Sequence, residues 1–340
     1  MSVRLRCVCC ALPRRVLEHA GLAHQHEATQ RLRSTRHSHE VDPQAAAGNG
    51  KRERFVFDAA GTEALPGVLA RAEGAAAVRD AAVNEAYENV GITLDFFAKV
   101  YGRDSLDARG MDVKASVHWG TQFANAMWTG RQMLFGDGDG LQVRGFTHCL
   151  DIVAHELTHA VTQHAVRGGL GVVKRQGKLD LAGEAGALNE SISDVFASLV
   201  KQWHRKQDVE HADWLVGEGV LAPHVGRAVR SLKAPGDRRQ TYGGDDQARD
   251  MSGFVAGGDV HANSGIPNHA FYLAASELAG HAWEHAGRIW YDAVPRLKAK
   301  ATFVDAAHAT AESAARLFGT ASREQHAVQS AWRKTGVIPG

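Results

Sequence analysis

The sequence predicts an α+β chain of two lobes, in which helix and strand mix ahead of Asp151 and helix follows it, with a short separate segment in front. Three observations carry this. Residues 1–50 are rich in Arg, His and Ala, poor in large apolar side chains past Leu22, and run into "PQAAAGNGKRER", the composition of a linker. From 51 to 168 short runs of period two alternate with a long run of period 3.6. Beyond that strand signals nearly vanish, and 340 residues exceed what one core usually serves. The expected organisation is a leading segment over 1–50, an α+β lobe over 51–168 and a helical lobe over 169–340, with a cleft between the lobes.

Along the chain, "RFVFDA" and "LPGVLARAEG" read as short strands around a turn. "DAAVNEAYENVGITLDFFAKVYG" is a helix, with Asp80 as its N-cap and Gly102 past its end. "VKASVHWG" and "RQMLFGDGDG" alternate as strands, and "TQFANAMWTG" joins them. "GDGDG" lacks the ligand series of a calcium loop and is expected to be a tight turn. After Asp151 the helices are "DIVAHELTHAVTQHAV", "GALNESISDVFASLVKQWHR", "NHAFYLAASELAG", "AGRIWYDAVPRL", "TFVDAAHATAESAARLFG" and "SREQHAVQSAWRKTG".

Composition excludes several classes of function. Lys+Arg 39 against Asp+Glu 38 leaves a net charge of +1, which gives no electrostatic reason for nucleic acid or an anionic membrane as partner. Specificity then has to come from a local site. Cys7, Cys9 and Cys10 crowd the start and Cys149 stands alone, which is no disulfide framework and fits a reducing compartment. The basic start is broken by Pro13, Arg14 and Arg15 before it reaches the length of a Sec signal, and no apolar run of about 18 residues occurs beyond it. A soluble monomer, cytoplasmic on synthesis and exported, if at all, by a non-classical route, is the expectation.

The chemistry is concentrated in "AHELTHA". His155 and His159 are four apart, so on a helix both imidazoles leave one face about 6 Å from each other and can share one metal ion. Glu156 points elsewhere but its carboxylate can reach a water on that metal. The motif alone is weak, and a solvated helix face would explain it equally. In "GALNESISDVFASL", however, Glu190 and Asp194 are again four apart, opposite an apolar face of Leu188, Ile192, Val195, Phe196 and Leu199. Two His and one Glu with a fourth position open is the ligand set of a hydrolytic rather than a structural zinc. Asp194 suits the role of accepting the outer N–H of a ligating histidine.

At this point the chain resembles the thermolysin family of zinc metallopeptidases. The matching stretches are "SVHWG", "NAMWTGRQMLFGDGDG", "DIVAHELTHAVTQ", "GALNESISDVFASL", "AVRS" and "VHANSGIPNHAFYL", in order from about Arg52 onward. "CALPRRVLEHAG" is similar to the short propeptide of the protealysin-like branch, with one proline where that branch usually has two. The resemblance implies an α+β, bilobal thermolysin-like fold and a zinc-dependent neutral endopeptidase, made as a latent precursor. It makes His155, His159 and Glu190 the zinc ligands, Glu156 the general base and His261 the donor to the oxyanion. Asn125 and the carbonyl of Ala126 would hold the substrate main chain, and Arg230 its carbonyl on the leaving-group side. Val143, Phe146, Ile152, Val216 and Val229 match the pocket for a large hydrophobic side chain after the scissile bond.

Departures from the family pattern sharpen the expectations. Leu181 stands where a tyrosine often assists the oxyanion, after an insertion around "RGGLGVVKRQGK". Ala256 replaces the acidic residue five before His261, leaving Asp259 to orient that imidazole. Of the family's double calcium site Asp151, Asp213 and Glu218 remain, while Lys201, Leu215 and Gly219 fall where carboxylates are expected; calcium is then bound at fewer sites, with the lysine ammonium in place of one ion. The leading segment is expected to form a short helix behind Pro13 and to block the cleft sterically until the chain is cut between about His37 and Lys51. Ligation of zinc by Cys7, Cys9 or Cys10 is the rival form of latency. A non-catalytic zinc-binding scaffold of the same fold is the alternative function, favoured by the absent tyrosine. A metal-handling arm built on His19, His24, His26, His37 and His39 has irregular spacing against it.

Overall fold

The computed structural model describes residues 10–25, 29, 52–175 and 178–340. Cys7, Cys9, His26, His37, His39 and the expected cleavage region up to Lys51 lie outside them. Strand β1 (Arg54–Asp58) pairs antiparallel with β2 (Val68–Ala72) and parallel with β3 (Val113–Val117). β3 continues parallel to β5 (Met133–Phe135), which takes β4 (Ala126–Trp128) antiparallel, giving the order β2-β1-β3-β5-β4. Helix α2 (Ala81–Tyr101) lies across β1 and β3 on a stripe of Val83, Ala86, Val90, Leu94 and Phe97. Asp80 caps it by accepting from Val83 N at 3.2 Å, and Gly102 ends it at φ 67°, a left-handed conformation that glycine adopts more readily than other residues.

β4 is a departure from the sequence reading, which made "TQFANAMWTG" a connection. All of its residues are buried, so no alternation reveals it. Its place at the sheet's edge matters, because one side of its backbone is left to pair with another chain. The turn at "GDGDG" is as expected: Gly138 and Gly140 take φ 70° and 71°, and Asp139 Oδ1 accepts from the N–H groups of Leu141, Gln142 and Val143.

Helix α3 (Leu150–Ala165) comes next and packs along α4 (Gly183–Arg205), while also touching α2 and β4. This seat makes α3 the shared wall of the two lobes. Helices α5 (Val260–Asn263), α6 (Gly265–Leu278), α7 (Ala286–Ala293), α8 (Phe303–Phe318) and α9 (Arg323–Lys334) complete the second lobe. That lobe is not wholly helical. The insertion forms a hairpin of β6 (Val172–Arg175) and β7 (Lys178–Leu181), and β8 (Leu215–Val216) pairs with β9 (Arg230–Ser231), strands too short to register as a period. At the front, α1 (Arg14–His19) starts behind Pro13 as expected and buries Val16 and Leu17. No helix among the described residues is long and apolar enough to cross a membrane.

The expected calcium trio does not assemble among the described residues. Lys201 Nζ lies 2.9 Å from Asp151 Oδ2 and 2.8 Å from Asp213 Oδ1, and donates to Leu215 O at 2.6 Å. Glu218 turns to Arg227 at 2.8 Å instead. Desolvation disfavours the charge on Asp151, yet Lys201, Cys149 Sγ and Gly217 N together hold it below the usual carboxylate range. A tethered ammonium therefore joins helix α4 to α3 and the β8 turn, in place of one ion of the family's site. Lys201→Met should cost about 3–5 kcal/mol, because one carboxylate is left buried and unpaired. Urea unfolding reads this, and the wild-type midpoint should not move with EGTA or added calcium; a calcium-dependent midpoint would restore the ion.

Candidate metal centre

His155 and His159 leave one face of α3, and α4 brings Glu190 against them. Glu190 Oε2 is 3.4 Å from His155 Nε2 and Oε1 is 3.8 Å from His159 Nε2, and one ligand atom from each residue falls within 4.8 Å of the others. The three side chains are buried. The decisive detail is the pair of histidine nitrogens, whose Nε2 atoms face each other at 3.1 Å. On the outer side His155 Nδ1 is 2.9 Å from Asp194 Oδ1, while His159 Nδ1 is 2.9 Å from Asn189 Oδ1 and 3.1 Å from Ser193 Oγ. Outer acceptors of this kind face each Nδ1 and leave both Nε2 atoms turned inward, an arrangement that suits a cation between them. Nitrogens on a tetrahedral zinc, each at 2.0–2.1 Å, are about 3.3 Å apart, so the donor set fits that metal.

Burial depresses the protonation of both histidines, but Asp194 and Glu190 bring His155 up to about 9, while His159 is left at about 4. Glu156 is wholly buried beside them. Its Oε2 accepts from Trp128 N on edge strand β4 at 2.7 Å, and its Oε1 has no hydrogen-bond partner among the described residues. Burial lifts its pKa to about 8. Such a carboxyl is poised to take and return a proton near neutrality.

His261 enters from α5. Its Nε2 stands 3.4 Å from Glu190 Oε2, and Asp259 Oδ1 lies 3.1 Å from its Nδ1 and 2.7 Å from its backbone N. Asp259 thus meets the imidazole that Ala256 cannot. Burial opposes charge on His261, but Glu190 and Asp259 raise it to about 9, which keeps it a donor.

Asp194 does more than the sequence suggested. It meets His155, accepts from Arg230 Nε at 3.0 and 2.9 Å through its two oxygens, and accepts from Asn268 Nδ2 at 2.9 Å. Desolvation would raise its pKa, and Arg230 and His155 bring it to about 2. Asn189, Ser193 and Asn268 were missed by sequence reasoning. Asn189 and Ser193 sit four apart on α4, the same spacing that revealed Glu190 and Asp194, so that signal was available.

The remaining residues line the open side, and the chain's own start lies on them. Ala11 N donates to Ala126 O at 2.9 Å on the free edge of β4. Leu12 N donates to Asn125 Oδ1 at 2.9 Å, and Asn125 Nδ2 donates to Leu12 O at 3.0 Å. Arg230 Nη1 donates to Ala11 O at 3.1 Å. Arg15 pairs with Asp246 at 2.6 Å, and the His19 ring tilts over Tyr242. Val143, Phe146, Ile152, Val216 and Val229 are all buried, and a Cβ placed on Gly217 would meet Val229 Cγ2 at 2.6 Å and Ile152 Cδ1 at 3.3 Å, so two of the expected wall residues converge there. Leu181, where the family often carries tyrosine, is buried and offers no hydroxyl.

Two family models match this chain: the catalytic domain of the thermolysin metallopeptidases over residues 32–163 and their alpha-helical domain over 177–337. The chain belongs to the thermolysin family. It is 41% identical to an extracellular metalloprotease of Pectobacterium carotovorum subsp. carotovorum, over 98% of each chain, and 39% identical to protease PrtS of Photorhabdus sp. (strain Az29), over 84% of this chain and 76% of that one. The solved precursor of protealysin, a metalloproteinase from Serratia proteamaculans, superposes with a TM-score of 0.80 at 41% identity, covering 96% and 97% of the two chains. This is a thermolysin-family metalloendopeptidase of the protealysin-like kind, and the zinc such an enzyme carries fits the cluster of His155, His159 and Glu190. His155→Ala and Glu190→Ala should each lose stoichiometric zinc as read by mass spectrometry of the dialysed protein. Full occupancy in either would mean the ligands lie elsewhere.

Proposed function

We propose that the protein is a zinc endopeptidase that cleaves before large hydrophobic residues and is made latent by its own N-terminal segment. One observation carries this reading: the groups expected to grip a substrate main chain, Asn125, Ala126 O and Arg230, already grip Ala11 and Leu12 beside the metal cluster. A zinc ion held by His155, His159 and Glu190 supplies Lewis acidity for water and the scissile carbonyl. The chain's own residues do the rest. Glu156 removes the proton of the attacking water and returns it to the leaving nitrogen, and Trp128 N holds the carboxylate in place for both transfers. His261, oriented by Asp259, donates to the oxygen on which charge develops; such a donor contributes about 3 kcal/mol in a dry cleft. Arg230, braced by Asp194, holds the carbonyl on the leaving-group side.

Val143, Phe146, Ile152, Val216 and Val229 support a preference for Leu, Phe or Ile after the scissile bond. Latency is proposed to be steric, with the docked segment lying where a peptide would lie. The scaffold alternative draws on Leu181 in place of tyrosine; hydrolysis of a peptide that a chelator abolishes and zinc restores separates the two.

Glu156→Gln is expected to keep zinc and lose peptidase activity by about three orders of magnitude or more, the scale on which removal of a catalytic base acts. Turnover near the wild-type value in that variant would end the mechanism. Full-length protein should be latent and gain activity once the segment before residue 52 is removed, and cleavage sites mapped on a peptide library should favour apolar residues after the cut. A preference for charged residues there, or equal activity of an uncleavable precursor, would contradict the reading.

A further inference from the structure

We infer that the precursor is its own substrate at one internal bond: the docked segment presents Cys10–Ala11 at the place of the scissile peptide, and hydrolysis there removes residues 1–10 without ending latency. This rests on the endopeptidase reading above and adds the direction and register of the segment to it. An inhibitory segment can lie in a cleft either way round. Here the polarity is fixed by four main-chain bonds. Ala11 N donates to Ala126 O, Ala11 O accepts from Arg230 Nη1, and Leu12 exchanges both of its groups with the Asn125 amide. A reversed chain would turn carbonyl groups toward Ala126 O and N–H groups toward the guanidinium, pairing like with like.

Arg230 sets the register. That residue is expected to hold the substrate's carbonyl on the leaving-group side, and the carbonyl it holds belongs to Ala11. The bond that precedes Ala11 is then the one set before the catalytic groups. Cys10 is correspondingly buried, packs with Met127, Phe123 and Trp119, and has its thiol near enough to Glu156 and His261 to affect both. The step is plain hydrolysis. A water oxygen bonds to the Cys10 carbonyl carbon, the C–N bond breaks, and Glu156 passes the water's two protons in turn to the Ala11 nitrogen, which leaves a Cys10 carboxylate and an Ala11 ammonium. Nothing is oxidised or reduced.

The cut does not release the cleft, because the segment from Ala11 to His19 is held independently of residues 1–10. Val16 and Leu17 are wholly buried, Arg15 pairs with Asp246, and His19 packs on Tyr242 and against Gly243 and Gly244. The new ammonium stays beside Ala126 O as a stronger, charge-assisted donor. Since the segment remains covalently joined to the enzyme, it re-docks at an effective concentration of order millimolar. Hydrolysis should also be slow, since Ala11 offers a methyl where a large side chain is preferred, a mismatch of roughly 10–200-fold per methylene-scale loss.

The test tracks zinc-loaded full-length protein by N-terminal sequencing and intact mass, over a tenfold range of concentration. A chain beginning at Ala11 should appear at a first-order rate independent of concentration, remain latent toward an added peptide, and fail to form in Glu156→Gln. If Cys10–Ala11 stays whole while the same preparation, freed of the segment, hydrolyses peptides, the self-cleavage proposal is overturned and the endopeptidase reading stands. If neither hydrolysis occurs, both fall. A second readout needs no turnover. In metal-free Glu156→Gln, Ala11→Pro removes the N–H given to Ala126 O and should raise alkylation of Cys10, located by peptide mapping, at least tenfold; unchanged protection would show that the register is wrong.

Discussion

Asp194 is the buried charge on which both sides of the cleft depend. Its carboxylate fixes the outer nitrogen of His155, and so the lone pair that faces the metal, while holding Arg230, which grips the main chain in the cleft. Taking an isolated carboxylate into this dry interior would cost several kcal/mol, and only the company of Arg230, His155 and Asn268 makes it tolerable. Loss of this one side chain would therefore misplace a metal ligand and a substrate clamp together. The helix that carries Asp194, α4, also packs along α3.

Around that anchor the interior is deliberately incomplete. Facing Nε2 atoms at 3.1 Å, a Glu156 oxygen without a partner among the described residues and a carboxylate at Glu190 form a set that a metal cation completes. Elsewhere the molecule finishes such sets with its own atoms. The ammonium of Lys201 sits between Asp151 and Asp213, in place of one ion of the calcium site that the family resemblance implies. Two buried acidic sites thus have opposite solutions. One has a permanent internal cation and stiffens the fold, and the other requires an external one and performs chemistry.

Much of this was legible in the sequence because the key residues sit on long helices. Spacing by four on α3 and α4 placed His155, His159, Glu190 and Asp194 on facing surfaces without any knowledge of the turn between them. What was not legible arises from contacts made between elements. β4 is fully buried and has no alternation, so the strand that receives Ala11 read as a loop. The departure at Glu218 could not be foreseen either, since its pairing with Arg227 depends on how the turn after β8 closes. Asn268 reaches Asp194 across 74 positions of sequence, a distance over which no local pattern speaks.

The central claim is that two imidazoles and one carboxylate hold the metal while the N-terminal segment blocks the cleft by main-chain mimicry, with its thiols off the metal. X-ray absorption at the zinc edge of the intact precursor tests this most directly. The account predicts a first shell of nitrogen and oxygen alone, at about 2.0–2.2 Å. A sulfur scatterer at about 2.3 Å would place a cysteine on the metal and contradict the steric account, and a protein that takes up no zinc would contradict the site itself.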